Sequence, residues 1–407
     1  MKRTLVHETW GDHAALLARS SQQHPGSVGI VQPQLLDVAG FHDPLQLELG
    51  GQLEQVAVSF ETYGQLNAKA SNAILICHAL TGSAHAAGSH QREQVPGWWD
   101  PLIGPDKPID TNRFFVICSN VLGGCYGSTG PASIDPASGK AYGINFPRYT
   151  IRDMVHVQKR LADKLGIDRF AAVIGGSMGG MQVLEWAAMY PDSVGAMVPI
   201  AIGAQHSAWA IGLNEVARRA IMADPEWRSG HYQLSEQPET GLGLARAIAM
   251  LSYRSFDSLQ AKFGRDRLSD RSVDPMLPDP EMPAPTSRRA LEMSFEIASY
   301  LNYQGVKLVE RFDANTYIHL TYAMDDYDIG EGRGGLAKVL AGMRMKTLVM
   351  GIPSDVLYPE AEQLQLVEHL PNASYARIVS PHGHDAFLIE YPQMAARLRR
   401  FLNELPD

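Results

Sequence analysis

The sequence is poor in cysteine and has no long apolar run and no block of like charge. Its three cysteines are Cys77, Cys118 and Cys125. An odd number without metal-ligand spacing argues against a disulfide framework and against a metal site. We therefore expect reduced thiols, a cytoplasmic location and no metal or bound cofactor.

The charge and hydropathy patterns exclude further classes of protein. The formal net charge is −9 at pH 7, without lysine- or arginine-rich blocks, so neither nucleic acid nor a membrane surface is an expected partner. The most apolar stretch, residues 196–204, is far shorter than the ~20 residues that span a bilayer. Residues 1–30 make a poor secretory signal and are expected to be loosely attached.

Short apolar runs alternate with helical patterns over the first half of the chain. Such alternation is typical of βαβ units and a parallel sheet with helices on both faces. The pattern predicts strands at 55–63, 73–77, 114–118, 170–174 and 194–202, and helices at 152–165 and 178–190.

A long helical region then interrupts this alternation. It contains predicted helices at 207–223 and 287–301, separated by a proline-rich stretch at 275–285 that forbids a continuous helix. The alternation resumes with strands at 345–351 and 375–379, a helix at 360–369 and another from Asp385 onward. We predict a core of residues 31–204 and 335–407, with a helical cap or lid at 205–334.

Ser177 lies in a Gly-Gly-Ser-Met-Gly-Gly sequence between a predicted strand and a predicted helix. A sharp strand-to-helix turn exposes such a serine at a helix N-terminus, where free N–H groups stabilise a developing oxyanion. Without that context, the serine would belong to an ordinary glycine-rich turn. Cys125 has the same glycine spacing, but the prolines and glycines that follow it forbid a helix, so we assign it to a loop.

A nucleophilic serine needs a base, and the base needs an acid to orient it. Asp355 follows the predicted strand at 345–351, and His382 and His384 follow the next strand. The residues alone do not separate the two histidines. Weaker acid candidates that no strand precedes are Asp325, Asp326 and Asp328. For the oxyanion hole the pattern indicates the backbone N–H groups of Met178 and Leu80.

Several longer motifs resemble the homoserine O-acyltransferases of the α/β-hydrolase superfamily, over nearly the whole chain from about residue 40. They are CHALTGSAH (77–85), NVLGGCYGSTGP (120–131), GGSMGGMQ (175–182), SAWAIGLNEVAR (207–218), SDVLYP (354–359) and GHDAFL (383–388). The resemblance implies an α/β-hydrolase fold with a mostly parallel sheet, helices on both faces and a helical cap insertion. It also implies a catalytic triad of Ser177, Asp355 and His384, and so selects His384 over His382.

The same resemblance implies how a substrate is held. Arg246 would bind the homoserine carboxylate, a task that suits the two-pronged guanidinium group. Asp385 would bind the amine, and Tyr253 is a further substrate contact. Without the resemblance, the sequence favours a solvent-exposed helix charge for Arg246. For Asp385 it favours the N-cap position of the helix that follows it.

The implied reaction transfers an acyl group from acyl-CoA to L-homoserine through an acyl-serine, as a step of methionine biosynthesis. Residues 327–335 and 378–381 resemble relatives that use acetyl-CoA, so acetyl-CoA is the expected co-substrate. Open alternatives are a succinyl-CoA donor, an L-serine acceptor, an ester hydrolase with the same triad, and a non-catalytic binding protein. The resemblance and the apolar cap helices around Trp209 also predict a homodimer formed through the cap.

Overall fold

A computed structural model of the chain contains one eight-stranded sheet and describes residues 26–91, 95–268 and 295–406. The strands are β1 (Gln34–Ala39), β2 (Val56–Tyr63), β3 (Ala73–Cys77), β4 (Phe115–Ser119), β5 (Ala172–Gly176), β6 (Ala196–Ile200), β7 (Lys346–Gly351) and β8 (Ala373–Arg377). Their order across the sheet is β1-β2-β4-β3-β5-β6-β7-β8. The β1–β2 and β2–β4 pairs are antiparallel and the remaining pairs are parallel, which confirms the predicted mostly parallel sheet.

Both faces of this sheet are covered. In β3, Ile74 and Ile76 belong to the apolar cluster on one face, whereas Leu75 and Cys77 belong to the cluster on the other. Each of these side chains is at most 2% exposed. A strand with both faces buried is apolar at every position, which explains why β3 could be located from its sequence alone.

The helices are α1 (Ile151–Lys164), α2 (Met178–Met189), α3 (Ala208–Met222), α4 (Glu239–Tyr253), α5 (Phe256–Phe263), α6 (Glu296–Val309), α7 (Ala314–Asp325), α8 (Leu336–Gly342), α9 (Glu360–His369) and α10 (Tyr391–Asn403). Local sequence sets several of their ends. Helix α1 begins at a capping box in which Thr150 and Asp153 satisfy each other's backbone N–H groups, an arrangement worth about 1 kcal/mol.

Helices α3 to α7 lie between two sheet strands, β6 and β7, as the predicted helical insertion requires. An isolated bridge between Gln205 and Asp328 joins the two ends of this region. The second predicted cap helix differs in position, because the described helix extends to Val309. Residues 287–294 of that prediction, and the proline-rich stretch at 275–285, lie outside the described residues. Among the helices at 26–91, 95–268 and 295–406, none combines the length and apolarity needed to span a membrane.

The prediction of a helix beginning at Asp385 is wrong. Residues Gly383–Leu388 form a 3₁₀ turn, and α10 begins only at Tyr391. Gly383 has a positive φ of 70°, and Pro392, in the first turn of α10, suits a helix start because it needs no N–H partner there. Asp385 therefore lies inside a separate turn and does not cap the helix that follows.

Candidate active site

Ser177 occupies the turn between β5 and α2 in a strained backbone conformation. Its φ and ψ are 56° and −128°, a combination that non-glycine residues adopt only where the surrounding structure holds them. A Cβ atom on Gly175 would lie 2.6 Å from the carbonyl oxygen of Gly179, and one on Gly179 would lie 2.1 Å from that of Cys77. The glycines two residues before and after Ser177 are therefore required by close backbone packing.

The two predicted oxyanion donors lie on either side of this turn. Met178 is the first residue of α2, so its N–H has no partner within the helix. Leu80 lies in the loop after β3 and lines the same cavity as Ser177. His78 holds this loop, since its Nε2 accepts the Val121 N–H at 3.2 Å. Burial lowers the pKa of His78 to about 4, which keeps the ring neutral and able to accept.

Asp355 and His384 form a buried pair beyond the ends of β7 and β8. The Nδ1 atom of His384 lies 2.7 Å from Oδ2 of Asp355. The other carboxylate oxygen, Oδ1, accepts the backbone N–H groups of Leu357 at 2.8 Å and Tyr358 at 2.9 Å. Because both carboxylate oxygens have partners, the acid is fixed in place and in turn fixes the imidazole ring.

The far nitrogen of His384, Nε2, is buried without a hydrogen-bond partner among the described residues. The ring packs between aromatic side chains, with centroids 5.7 Å from Tyr253, 5.3 Å from Tyr358 and 5.6 Å from Phe387. Phe387 also lies against Gly176, the residue before the serine, where a Cβ would approach its ring within 2.7 Å. The free nitrogen and the strained serine therefore belong to one compact site.

The charge state of His384 depends on opposing effects. Burial disfavours the imidazolium form, but the attraction of Asp355, its hydrogen bond to Nδ1 and the charge of Asp385 outweigh burial and raise the pKa of His384 above 6.5. A base with a raised pKa accepts a proton readily near neutral pH.

The structure also brings together the three predicted substrate contacts. The guanidinium carbon of Arg246 lies 5.6 Å from the ring centroid of Tyr253, whose ring packs against His384. Asp385 is an immediate neighbour of His384 in sequence, and its pKa is raised by burial against the opposing charges of Arg254 and Arg246. Arg246 and Asp385, a cationic and an anionic side chain, thus influence each other electrostatically near the Tyr253 and His384 rings.

Ser177 lines a cavity that also has walls in the helical insertion. Its walls come from the core, at Leu80 and Leu357, and from helices α3, α4 and α7, at Asn214, Tyr253 and Tyr317. Residues on both sides of the inserted helices in the sequence, and residues of those helices, therefore line one cavity at Ser177.

Other sequence candidates lie elsewhere. Among the described residues, the His382 side chain contacts the Ser258 hydroxyl, 3.3 Å from its Nδ1, and does not pair with Asp355. Asp325 is paired with Arg218 at 2.7 Å. Asp326 pairs with Arg148 at 2.6 Å and Asp328 caps its own turn at Gly330. Cys125 lies in a loop, as predicted, and does not line the cavity.

Two neighbours of the site were not predicted from the sequence. The Nη1 atom of Arg254 lies 3.9 Å from Oδ2 of Asp385. Arg254 directly follows Tyr253, a predicted substrate contact, and this was the sequence feature that could have indicated it. His206 lines the cavity and its Nδ1 lies 3.1 Å from the Tyr358 hydroxyl. It lies before α3 in no recognisable motif, so only the three-dimensional structure reveals it.

Comparison with known proteins first defines the class. A family model described as "alpha/beta hydrolase fold" matches residues 72–391, which include Ser177, Asp355 and His384. The strand order and the strained serine turn described above agree with that fold.

Sequence relatives then define the family. The homoserine O-acetyltransferase of Carboxydothermus hydrogenoformans is 50% identical over 382 residues, covering 93% of this chain and 96% of that protein. The crystal structure of the homoserine O-acetyltransferase from Bacillus anthracis is 29% identical with a TM-score of 0.82, covering 93% of this chain and 99% of that one. Esterase E22 has 30% identity and a TM-score of 0.80, covering 92% and 100%. The chain belongs to the homoserine O-acetyltransferase family.

Proposed function

We propose that this protein transfers an acetyl group from acetyl-CoA to the side-chain hydroxyl of L-homoserine, by way of an acetyl ester on Ser177. The main support for this proposal is the buried Asp355–His384 pair. The free Nε2 of His384 belongs to the same compact site as Ser177. Family membership supports the substrates, and the product would serve methionine synthesis.

In the first half-reaction, His384 acts as the base. Its Nδ1–H is donated to Asp355, so Nε2 carries the lone pair that takes the Ser177 proton. The serine oxygen then attacks the thioester carbonyl, and the N–H groups of Met178 and Leu80 stabilise the oxyanion by about 3 kcal/mol per donor. The protonated His384 returns its proton to the departing CoA thiolate.

In the second half-reaction, homoserine is held by Arg246 and Asp385. Arg246 binds its carboxylate and Asp385 its ammonium group, while Tyr253 supports both His384 and the substrate. His384 removes the proton of the homoserine hydroxyl, which attacks the acetyl ester and releases Ser177. The chemistry needs no cofactor, because every proton is handled by His384.

We propose that residues 205–334 act as a cap over a core of residues 31–204 and 335–407. The acetyl ester must react with homoserine before water reaches it, and a covered site limits that hydrolysis. The cavity walls contributed by α3, α4 and α7 support this role.

Hydrolysis of acetyl esters is the second candidate function, because esterase E22 shares the fold at a TM-score of 0.80. Pre-steady-state mixing with acetyl-CoA, with and without homoserine, separates the two. We expect one equivalent of CoA released at once, and steady release only when homoserine is present. Steady release that ignores homoserine would establish a hydrolase instead. Offering succinyl-CoA or L-serine in the same assay, with products weighed by mass spectrometry, tests the donor and the acceptor.

Arg246→Lys tests the carboxylate contact. Lysine keeps the charge but loses the two-pronged geometry, so we expect the KM for homoserine to rise roughly tenfold or more, consistent with about 1.5–3 kcal/mol for a charged hydrogen bond. The KM for acetyl-CoA should stay unchanged. An equal loss for both substrates would exclude a specific homoserine contact.

We also propose a homodimer formed through the cap. Several apolar side chains of α3, α4 and α6 are about half exposed: Trp209, Val216, Leu244, Leu251 and Val306. Sedimentation velocity of the native chain and of Trp209→Glu, compared with Leu35→Glu on the sheet edge, tests this interface. We expect only the cap variant to shift toward monomer. The cytoplasmic location stays a prediction.

A further inference from the structure

A second cluster of ligating side chains lies outside the proposed catalytic site. Glu61 is part of β2, and His85 and His90 belong to the loop that follows β3. Their donor atoms all lie within 4.8 Å of one another, and none of the three lines the cavity at Ser177. From this convergence we infer that Glu61, His85 and His90 form a structural binding site for one zinc-class divalent cation.

The carboxylate is the buried centre of this cluster. The side chain of Glu61 is only 2% exposed; its Oε2 lies 2.9 Å from Nδ1 of His85 and its Oε1 lies 2.7 Å from Nε2 of His90. Each carboxylate oxygen of this buried side chain therefore faces an imidazole nitrogen.

The Nδ1 atom of His85 is the ring nitrogen that faces this carboxylate. Its Nε2 lies 3.2 Å from the carbonyl oxygen of Val95, which can only accept, so Nε2 carries a proton. In the neutral ring Nδ1 is then an acceptor, opposed to a carboxylate oxygen at 2.9 Å. Two acceptors at that distance need a cation between them, either a proton or a metal ion.

The surroundings match those of metal sites in proteins. A ligating histidine usually donates its second ring N–H to a carbonyl, and a ligating carboxylate is itself hydrogen-bonded. Val95 provides the first contact, and the Tyr63 hydroxyl, 2.8 Å from Oε2 of Glu61, provides the second. Four residues separate His85 from His90, within the three to five typical of zinc-ligand pairs.

The donor set and its geometry select the ion. Two imidazoles and one carboxylate suit Zn²⁺, which accepts three protein ligands and keeps a fourth position for water. With bonds of about 2.0–2.2 Å, tetrahedral ligand atoms lie about 3.3 Å apart. The two observed separations need to widen by roughly half an ångström, a side-chain adjustment for His85 and His90, whose side chains are 15% and 28% exposed.

Such an ion would tie the loop of residues 78–90 to β2. Leu80, the proposed oxyanion donor, lies in this loop, and the Ala84 N–H is already anchored by Asn120 at 2.7 Å. The ion would add a second anchor at the far end of the loop, without contacting the reacting groups.

The test measures metal directly. The untagged full-length protein is stripped with dipicolinate and titrated with ZnCl₂ by calorimetry, and with CoCl₂ by visible absorption. We expect one ion per chain, at least a hundredfold weaker binding in His85→Gln, His90→Gln and Glu61→Gln, and unchanged binding in His42→Gln, an exposed control.

Two results would overturn the inference. One is wild-type protein that binds no zinc saturably at 100 µM, in which case a proton holds His85 to Glu61. The other is equal binding in the wild-type protein and all three cluster variants. Neither result bears on acetyl transfer, because the readout is metal binding and not turnover.

Discussion

Two glycine-rich turns in this protein share one sequence spacing and have different structures. Gly-Gly-Ser177 and Gly-Gly-Cys125 each follow a buried strand, and each has a further glycine two residues after the central residue. At Ser177 the chain enters α2 at once. After Cys125 no helical residue follows until Gly143. A glycine pattern alone therefore does not define a nucleophile.

The glycines of the two turns allow different close contacts. Gly179 lets α2 approach the Cys77 carbonyl of β3 and so forms the serine turn. Gly123 lets the Tyr149 side chain pack against the loop, since a Cβ there would lie 1.9 Å from its hydroxyl. Burial raises the pKa of Cys125 to about 12, so its thiol stays protonated. The first turn leads into a helix N-terminus in the site that contains His384, whereas the second belongs to a packed loop.

The largest expected effect follows from removing the proposed nucleophile, Ser177. Ser177→Ala should lower kcat by roughly 10⁶-fold, as loss of a triad serine does elsewhere. Mass spectrometry of wild-type protein quenched with acetyl-CoA should show the acetyl group on the Ser177 peptide and none on the Cys125 peptide. An acetylated Cys125 would reverse the assignment of the two turns.

The second largest effect is expected at Asp355, the proposed acid that orients His384. Asp355→Asn should lower kcat about 10⁴-fold, because an amide no longer selects the tautomer with a free Nε2. The matched control is Asp326→Asn, which changes an exposed carboxylate paired with Arg148. Comparable losses in both variants, measured by CoA release, would mean that Asp355 has no special role.

The pH dependence of kcat/KM tests the charge state of His384. The base must be neutral, and its pKa is raised above 6.5, so activity should fall as pH decreases through a value above 6.5. The pair with Asp355 stabilises the imidazolium form, so its contribution to stability is full below pH 6.5 and is lost as pH rises through the folded-state pKa. His382→Gln should leave the acid limb unmoved. A limb below pH 6 would contradict this assignment.

Much of this site could be predicted because it depends on local sequence. The burial of β3 on both faces and the helix after Ser177 are visible as apolar runs and periodicity. The choice of His384 over His382 was not, because it depends on how the 383–388 turn orients two histidines of one loop. The predicted helix at Asp385 was wrong because Gly383 and Pro392 shape the backbone there. Arg254 was missed because its partner, Asp385, is distant in sequence.

A smaller effect should come from the backbone contact that forms the serine turn. Gly179→Ala adds a methyl group 2.1 Å from the Cys77 carbonyl oxygen, and such overpacking costs about 1–3 kcal/mol. Thermal unfolding measures it. The control is Gly212→Ala, in helix α3 with open space around it, which should gain about 0.5–1 kcal/mol. A stable, fully active Gly179→Ala would mean that the turn tolerates displacement.

The smallest effect is expected at the second turn. Cys125→Ala should change kcat/KM by less than about twofold, because the residue does not line the cavity at Ser177, and a change outside such features usually stays within about 0.5 kcal/mol. Since the thiol is protonated at neutral pH, iodoacetamide should leave both Cys125 and the activity intact over an hour. Rapid alkylation with parallel loss of turnover would show that this turn, despite lacking a helix, presents a reactive group to the substrate.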